Sequence, residues 1–177
     1  KSPMAVEALG KAMRDEPDPA VRRLYADTLA QINSAAAREY LMSYSLLDHD
    51  EEVRLTCLDY IKKTKGPDTV KFYIVGLRDS DNRIVNRAGS ALRELGDKSA
   101  IGPLIERLIT EHKEKVNTGN PGQIGASFGN SGAGGLSVGG GGVKLRKYDV
   151  QNRSVLEALV ALAGGPNYGF NVDQWKK

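Results

Sequence analysis

Apolar residues recur along the first two thirds of the chain at helical spacing. Three positions past Asp18, Asp50 and Asp81 stand Val21, Val53 and Ile84; four further come Tyr25, Cys57 and Ala88, and four beyond those Leu29, Ile61 and Leu92. Spacings of four and eight fall on one face of an α-helix, so each stretch predicts one amphipathic helix with a common buried stripe. A second set lies between them: Val6, Leu9 and Met13 in 5–14; Ala37, Tyr40, Leu41 and Tyr44 in 35–47; Val70, Tyr73, Ile74 and Leu77 in 68–78; Ile101, Leu104, Ile105 and Leu108 in 99–112. Gly66-Pro67 and Gly96-Asp97 mark stops between neighbours. The aspartates are 32 and then 31 residues apart. Residues 4–113 therefore read as alternating helices, two per repeat. One such pair cannot bury its apolar face alone, so neighbours must stack.

The helix starts have a physical cause. A carboxylate at the N-cap accepts from the unpaired amides of the first turn and suits the positive end of the helix dipole. Asp18, Asp50 and Asp81 are read as such caps, Asp18 being followed by Pro19, which loses no hydrogen bond at the first helical position.

The stretch "GNSGAGGLSVGGGG" at 129–142 cannot be an ordinary helix, because each glycine loses too much backbone freedom. Helical pattern resumes at 154–163 with Val155, Leu156, Leu159, Val160 and Leu162, capped by Ser154 or Asn152, as the expected partner of helix 99–112. Residues 114–151 are thus a Gly-rich flexible insert between the repeats and a closing segment, 152–177. The insert is a projecting arm or, on the favoured reading, a tolerated surface insertion, since lengthening a loop costs little. Within it "GVKLRKYDV" (142–150) alternates like a short strand, paired with "GLSV" (135–138) in a β-hairpin. Tyr168, Phe170 and Trp175 form an aromatic end cap over the apolar face that no further repeat covers, with Asp173 capping a short last helix.

Charge adds one asymmetry. Residues 1–113 hold 18 basic and 18 acidic side chains, and the excess behind the net charge of +3 falls in 114–177. It is concentrated in "KLRK" at 144–147 and in Lys176 and Lys177, a weak patch for nucleic acid. The chain, at 177 residues, is long enough for a core without staples. It starts "KSPMAVEALG", in mid-pattern and without Met, and so reads as an excised fragment whose missing leader means nothing. It has no apolar run of transmembrane length.

Candidate chemistry is sparse. Cys57, the single cysteine, falls on the buried stripe and reads as a core hydrophobe. His49 sits in a turn and His112 near a helix end, both typical of solvated histidine. No nucleophile elbow is present, and the glycine tract lacks the Lys-Ser/Thr and the context of a phosphate loop. No catalytic, metal or cofactor site is therefore assigned. Tyr40 and Tyr73 fit the core stripe, leaving Tyr44 as the better surface aromatic.

The repeats "DHDEEVRLTCLDYIKK" (48–63) and "DSDNRIVNRAGSALRELGDKSAIGPLIERL" (79–108), with "DEPDPAVRRLYADTLAQI" (15–32), resemble HEAT repeats of the HEAT-like and armadillo group. The family's recurrent Arg falls on Arg22 and Arg54, while Val85 holds that place in the third unit. "NRSVLEALVALAGGPNYGFNVDQWKK" (152–177) resembles the end of bacterial HEAT-repeat proteins. The resemblance implies an all-α, right-handed solenoid of about three to four helical hairpins, with the Gly-rich insert before the last helix. The His-Glu pairs of HEAT-type iron hydroxylases are missing, so no metal or cofactor is implied. It further implies a non-catalytic scaffold, monomeric, that binds an unidentified protein, with Tyr44, Lys144, Arg146 and Lys147 as partner-binding residues. A nucleic-acid-binding module or base-excision-type enzyme is the alternative, disfavoured by the neutral charge of the array. The bacterial likeness leans slightly toward export to the periplasm.

Overall fold

The computed structural model describes residues 3–64, 66–118, 124–128, 134–138 and 142–177. The chain divides into two compact units, residues 1–109 with 151–177, and residues 110–150.

The first unit is helical. Its elements are α1 (Pro3–Asp15), α2 (Pro19–Ile32), α3 (Ala35–Leu47), α4 (Glu51–Thr64), α5 (Thr69–Gly76), α6 (Asn82–Leu95), α7 (Ile101–Glu106), α8 (Arg153–Ala163) and α9 (Val172–Trp175). A 3-10 turn, Lys98–Ala100, leads into α7. Each helix packs on its neighbours in the stack: α1 on α2 and α3, α2 on α3 and α4, α3 on α4, α5 on α6, α7 on α8, and α6 on α8. This is the short solenoid that the repeat pattern predicts. Its stripes are buried: Val53, Cys57 and Ile61 in α4, Ile84, Ala88 and Leu92 in α6, and Ala26 and Leu29 in α2. Tyr25, expected on the α2 stripe, is only half-buried, and Ala26 beside it takes the inward place.

The turns between repeats share one construction. Asp18 Oδ1 accepts from the amide of Ala20 at 2.8 Å, Asp50 Oδ1 from Val53 at 3.1 Å, and Asp81 Oδ1 from Arg83 at 2.8 Å. An acidic residue two places earlier repeats the device, Asp48 and Asp79 each accepting the following Asp amide at 2.8 Å and Glu16 that of Asp18 at 2.9 Å. The recurrent arginine then reaches back over the turn. Arg22 Nη1 donates to the carbonyls of Glu16 and Pro17, and Arg54 Nη1 to those of Asp48 and His49. In the third unit the buried Val85 fills that position with apolar contact instead.

Helix α8 lies close against α6. A Cβ on Gly89 would meet the backbone of Val155 at 3.0 Å, so a hydrogen is what permits the approach. Asn152 occupies the N-cap of α8 but makes no cap bond with its side chain, contrary to the expected cap. The amide of Ser154 is satisfied by Asn86 Oδ1 at 2.9 Å, so α8 is capped from α6. This frees Asn152, which is fully buried, to act as a junction. Its Oδ1 accepts from Asn82 at 2.6 Å and Asn86 at 2.9 Å, its Nδ2 donates to Arg107 O at 2.9 Å, and its amide donates to Leu108 O at 2.9 Å.

The region read as helix 99–112 is corrected. Leu104, Ile105 and Leu108 are buried as the stripe requires, but the helix stops at Glu106 and β1 begins at Ile109. Beyond Leu108 the sequence "ITEHKEKVNT" offers only two apolar residues, Ile109 and Val116, too few for a buried helical stripe, and carries β-branched Ile109, Thr110, Val116 and Thr118, which favour extended backbone.

The second unit is a β-ribbon. β1 (Ile109–Thr118) pairs with β4 (Gly142–Gln151), and β2 (Ile124–Phe128) pairs antiparallel with β3 (Gly134–Val138), Ile124 opposite Val138 and Phe128 opposite Gly134. The strand expected at 142–150 is present, but its expected partner is not: 135–138 belongs to the pair with β2, and β1 is the partner of β4. Thr110 bonds to Val150 and His112 stacks on Tyr148, the crossed order that antiparallel strands give. The glycine-rich residues 129–133 and 139–141, on which the expected flexibility partly rested, lie outside the described residues.

Candidate functional site

Helix α3 has two stripes. Ala37, Leu41 and Ser45 face inward and are buried. Tyr40, Tyr44 and Leu47, at spacings of four and three, form a second stripe beside the first. With Met13 and Arg14 from the last turn of α1, and Arg22, Ser43, Asp48 and His49, they line an open groove of about 390 Å³.

The groove is built on fixed parts. The ring of Tyr40 lies on Gly10, where a Cβ would fall 2.3 Å from it, so the glycine makes room for the aromatic. Tyr44 is half-buried and its hydroxyl donates to Gly10 O at 2.8 Å. Burial pushes that hydroxyl's pKa up, against the opposing pull of the neighbouring Arg14. On the floor, Arg22 Nε and Nη2 grip Asp48 Oδ2 and Oδ1, both at 3.0 Å, and both side chains are 2% exposed. Nη2 also reaches His49 Nε2 at 3.1 Å. With the two carbonyl bonds from Nη1, all five guanidinium N–H groups are used. Arg22 therefore offers a ligand nothing and serves to hold the turn. Since guanidinium only donates, His49 Nε2 accepts, which places the ring proton on Nδ1, 3.8 Å from Asp48 Oδ1.

What the groove presents outward is Arg14, which is exposed, the tyrosine edges, His49 and Leu47, which is 64% exposed. Leu46, its neighbour, is 4% exposed and takes the core place.

The residues singled out by sequence are distributed as follows. Tyr44 lines the groove as a pinned ring. Lys144, Arg146 and Lys147 are exposed on β4, in the other unit. Asp18, Asp50 and Asp81 bind helix amides. Trp175 is half-buried, donates from Nε1 to Gly169 O at 2.8 Å, and meets Tyr168 edge to face at 5.1 Å; Phe170 and Trp175 pack against the core, while Tyr168 is 41% exposed. Tyr73 is buried, its hydroxyl 2.7 Å from Ser45 Oγ. Cys57 is buried and its thiol pKa is pushed up to about 12, by burial first and by the charge of Asp48 second. Arg14 and Leu47 were not found by sequence reasoning. The Tyr40–Tyr44–Leu47 spacing was the available signal for Leu47; Arg14 had none.

Among the described residues no helix is long and apolar enough to cross a membrane. A family model described as HEAT repeats matches residues 1–58, which hold α1 to α3 and the first half of α4. No curated protein matches the chain.

Proposed function

We propose, from the HEAT-repeat match over residues 1–58 and the general role of such repeats in protein–protein interaction, that the chain is a non-catalytic scaffold. Its groove between α1 and α3 holds a side chain of a protein partner. The observation that carries this is Leu47, 64% exposed beside Arg14 above a floor whose donors are spent. An exposed leucine next to a cation, on a surface that does not yield, suits a partner residue with an aliphatic stem and a carboxylate end. The absence of a reaction step is part of the proposal. Cys57 stays a thiol at neutral pH, and Arg22 and Asp48 satisfy each other. The protein acts as a monomer on this reading.

The test is paired affinity capture with the wild type and with Leu47→Glu and Arg14→Glu. Both side chains are exposed, so the variants should melt with the wild type, since exposed substitutions cost within about 0.5 kcal/mol. A partner retained by the wild type and lost with both variants supports the groove. Partners held equally by all three would assign binding elsewhere.

A further inference from the structure

The β1–β4 ribbon is unfinished as a sheet. Each of its two strands keeps one hydrogen-bonding edge without a strand neighbour among the described residues. Residues 144–149 of β4 are exposed at every position, so both faces of that strand meet solvent. Leu145 is 65% exposed and Tyr148 43%. A lone two-stranded ribbon is marginal in water, and a third strand is the usual remedy.

The two edges differ in charge. β4 carries Lys144, Arg146 and Lys147 against Asp149, whereas β1 carries Lys113 and Lys115 against Glu111 and Glu114. On β4, Lys147 reaches across to Glu111 at 3.1 Å, and among the described residues no ion pair engages Lys144 or Arg146. His112 stacks on Tyr148 at 5.5 Å with the rings 21° apart, which braces the strand pair from one face. Cations here also oppose pairing of β4 with a second copy of itself, since like charges would face one another.

We propose that the outer edge of β4 takes an extended, acidic segment of a partner protein as a third strand. Main-chain hydrogen bonds along 143–149 supply the pairing. Carboxylates on the added strand lie across from Lys144 and Arg146, and its apolar residues cover Leu145. This rests on the ribbon alone and does not require the α1–α3 groove.

The experiment titrates the whole chain with a fluorescent peptide of about ten residues alternating glutamate and valine. The controls are the same peptide with glutamine for glutamate and a duplex DNA of unrelated sequence. Amide hydrogen exchange is followed in parallel. The acidic peptide should bind at least tenfold tighter than the glutamine peptide. The double variant Lys144→Glu, Arg146→Glu, with an unchanged circular dichroism spectrum, should lose at least tenfold. Every second amide between residues 143 and 149 should exchange more slowly in the complex, which charge attraction alone would not produce. Leu47→Glu should bind the peptide as the wild type does. Absent binding, equal affinity for both peptides, or binding that leaves those amides unprotected overturns the proposal. Tighter binding of the DNA overturns it also and assigns the edge to phosphate.

Discussion

Arg22 is a charged residue that behaves as a core residue. Its stem occupies a buried position in α2 and its head spends every donor on Asp48, His49 and two turn carbonyls. Removing one partner of a buried ion pair leaves the other charge stranded, at about 3–5 kcal/mol. Arg22→Ala should therefore lower the thermal midpoint by roughly 10 °C, and Arg22→Lys should recover little of it, because an ammonium cannot make the two-pronged grip. A melt of Arg22→Ala matching the wild type would contradict this. Cys57 and Tyr73 make a second claim at this scale. Burial raises both pKa values, the thiol from 9.0 to about 12 and the phenol well above its ordinary value. The unfolded chain gives up these protons first, so their contribution is whole below pH 9 and is lost as pH rises above it, by up to about 1.4 kcal/mol per pH unit for each group. Melts between pH 8 and 11 should show Cys57→Ala losing less of its midpoint than the wild type over the same range.

Helix α8 depends on its neighbour for both its distance and its beginning. At Gly89 a methyl group would stand 3.0 Å from the backbone of Val155, which would have to give by a few tenths of an ångström. Overpacking costs about 1–3 kcal/mol, against about 1 kcal/mol gained by placing alanine in a helix interior. Gly89→Ala should be mildly destabilising and Gly89→Val clearly so in chemical denaturation, and a stabilised valine variant would refute the contact. Asn152→Leu removes the acceptor shared by Asn82 and Asn86 and the donor to the carbonyl of Arg107. Each unsatisfied buried group costs about 1–3 kcal/mol, so the denaturation midpoint should fall more than for Gly89→Ala. These elements also mark the reach of sequence reasoning. Helix periodicity is legible because the stripe of Cys57, Ile61 and their equivalents repeats along the chain. The capping of α8 by Asn86 was not, since no local pattern reports a partner so far away in sequence. The short α7 was missed because Leu108 sits at the helical spacing yet is buried from a turn.

Across the molecule, the repeat architecture was readable and its surfaces were less so. The strand at 142–150 shows in its alternation, but its pairing depends on where β1 begins, which the misread helix concealed. Tyr44, read from sequence as the surface aromatic of α3, is half-buried and bonded to α1, while Leu47 and Arg14 acquire meaning only when α1 is set beside α3. At the closing end, Trp175 is half-buried and holds Tyr168 and Gly169. Its loss should be smaller than for a fully buried tryptophan, about 2 kcal/mol and several degrees in the melt of Trp175→Ala; an unchanged melt would remove its role as a cap.

The Asn152 junction has a mechanical consequence. The chain leaves the helical unit at Leu108 and re-enters at Asn152, which bonds back to the carbonyls of Leu108 and Arg107. Tension applied to the ends of the protein would be borne across that closure and the α6–α8 contact, and then by the pairing of β1 with β4. Rupture there, followed by parting of β1 from β4, would release residues 110–150 as hidden length, roughly 140 Å when drawn out. The excursion is thus a reserve of chain that would register in a force trace as a lengthening that follows the first break.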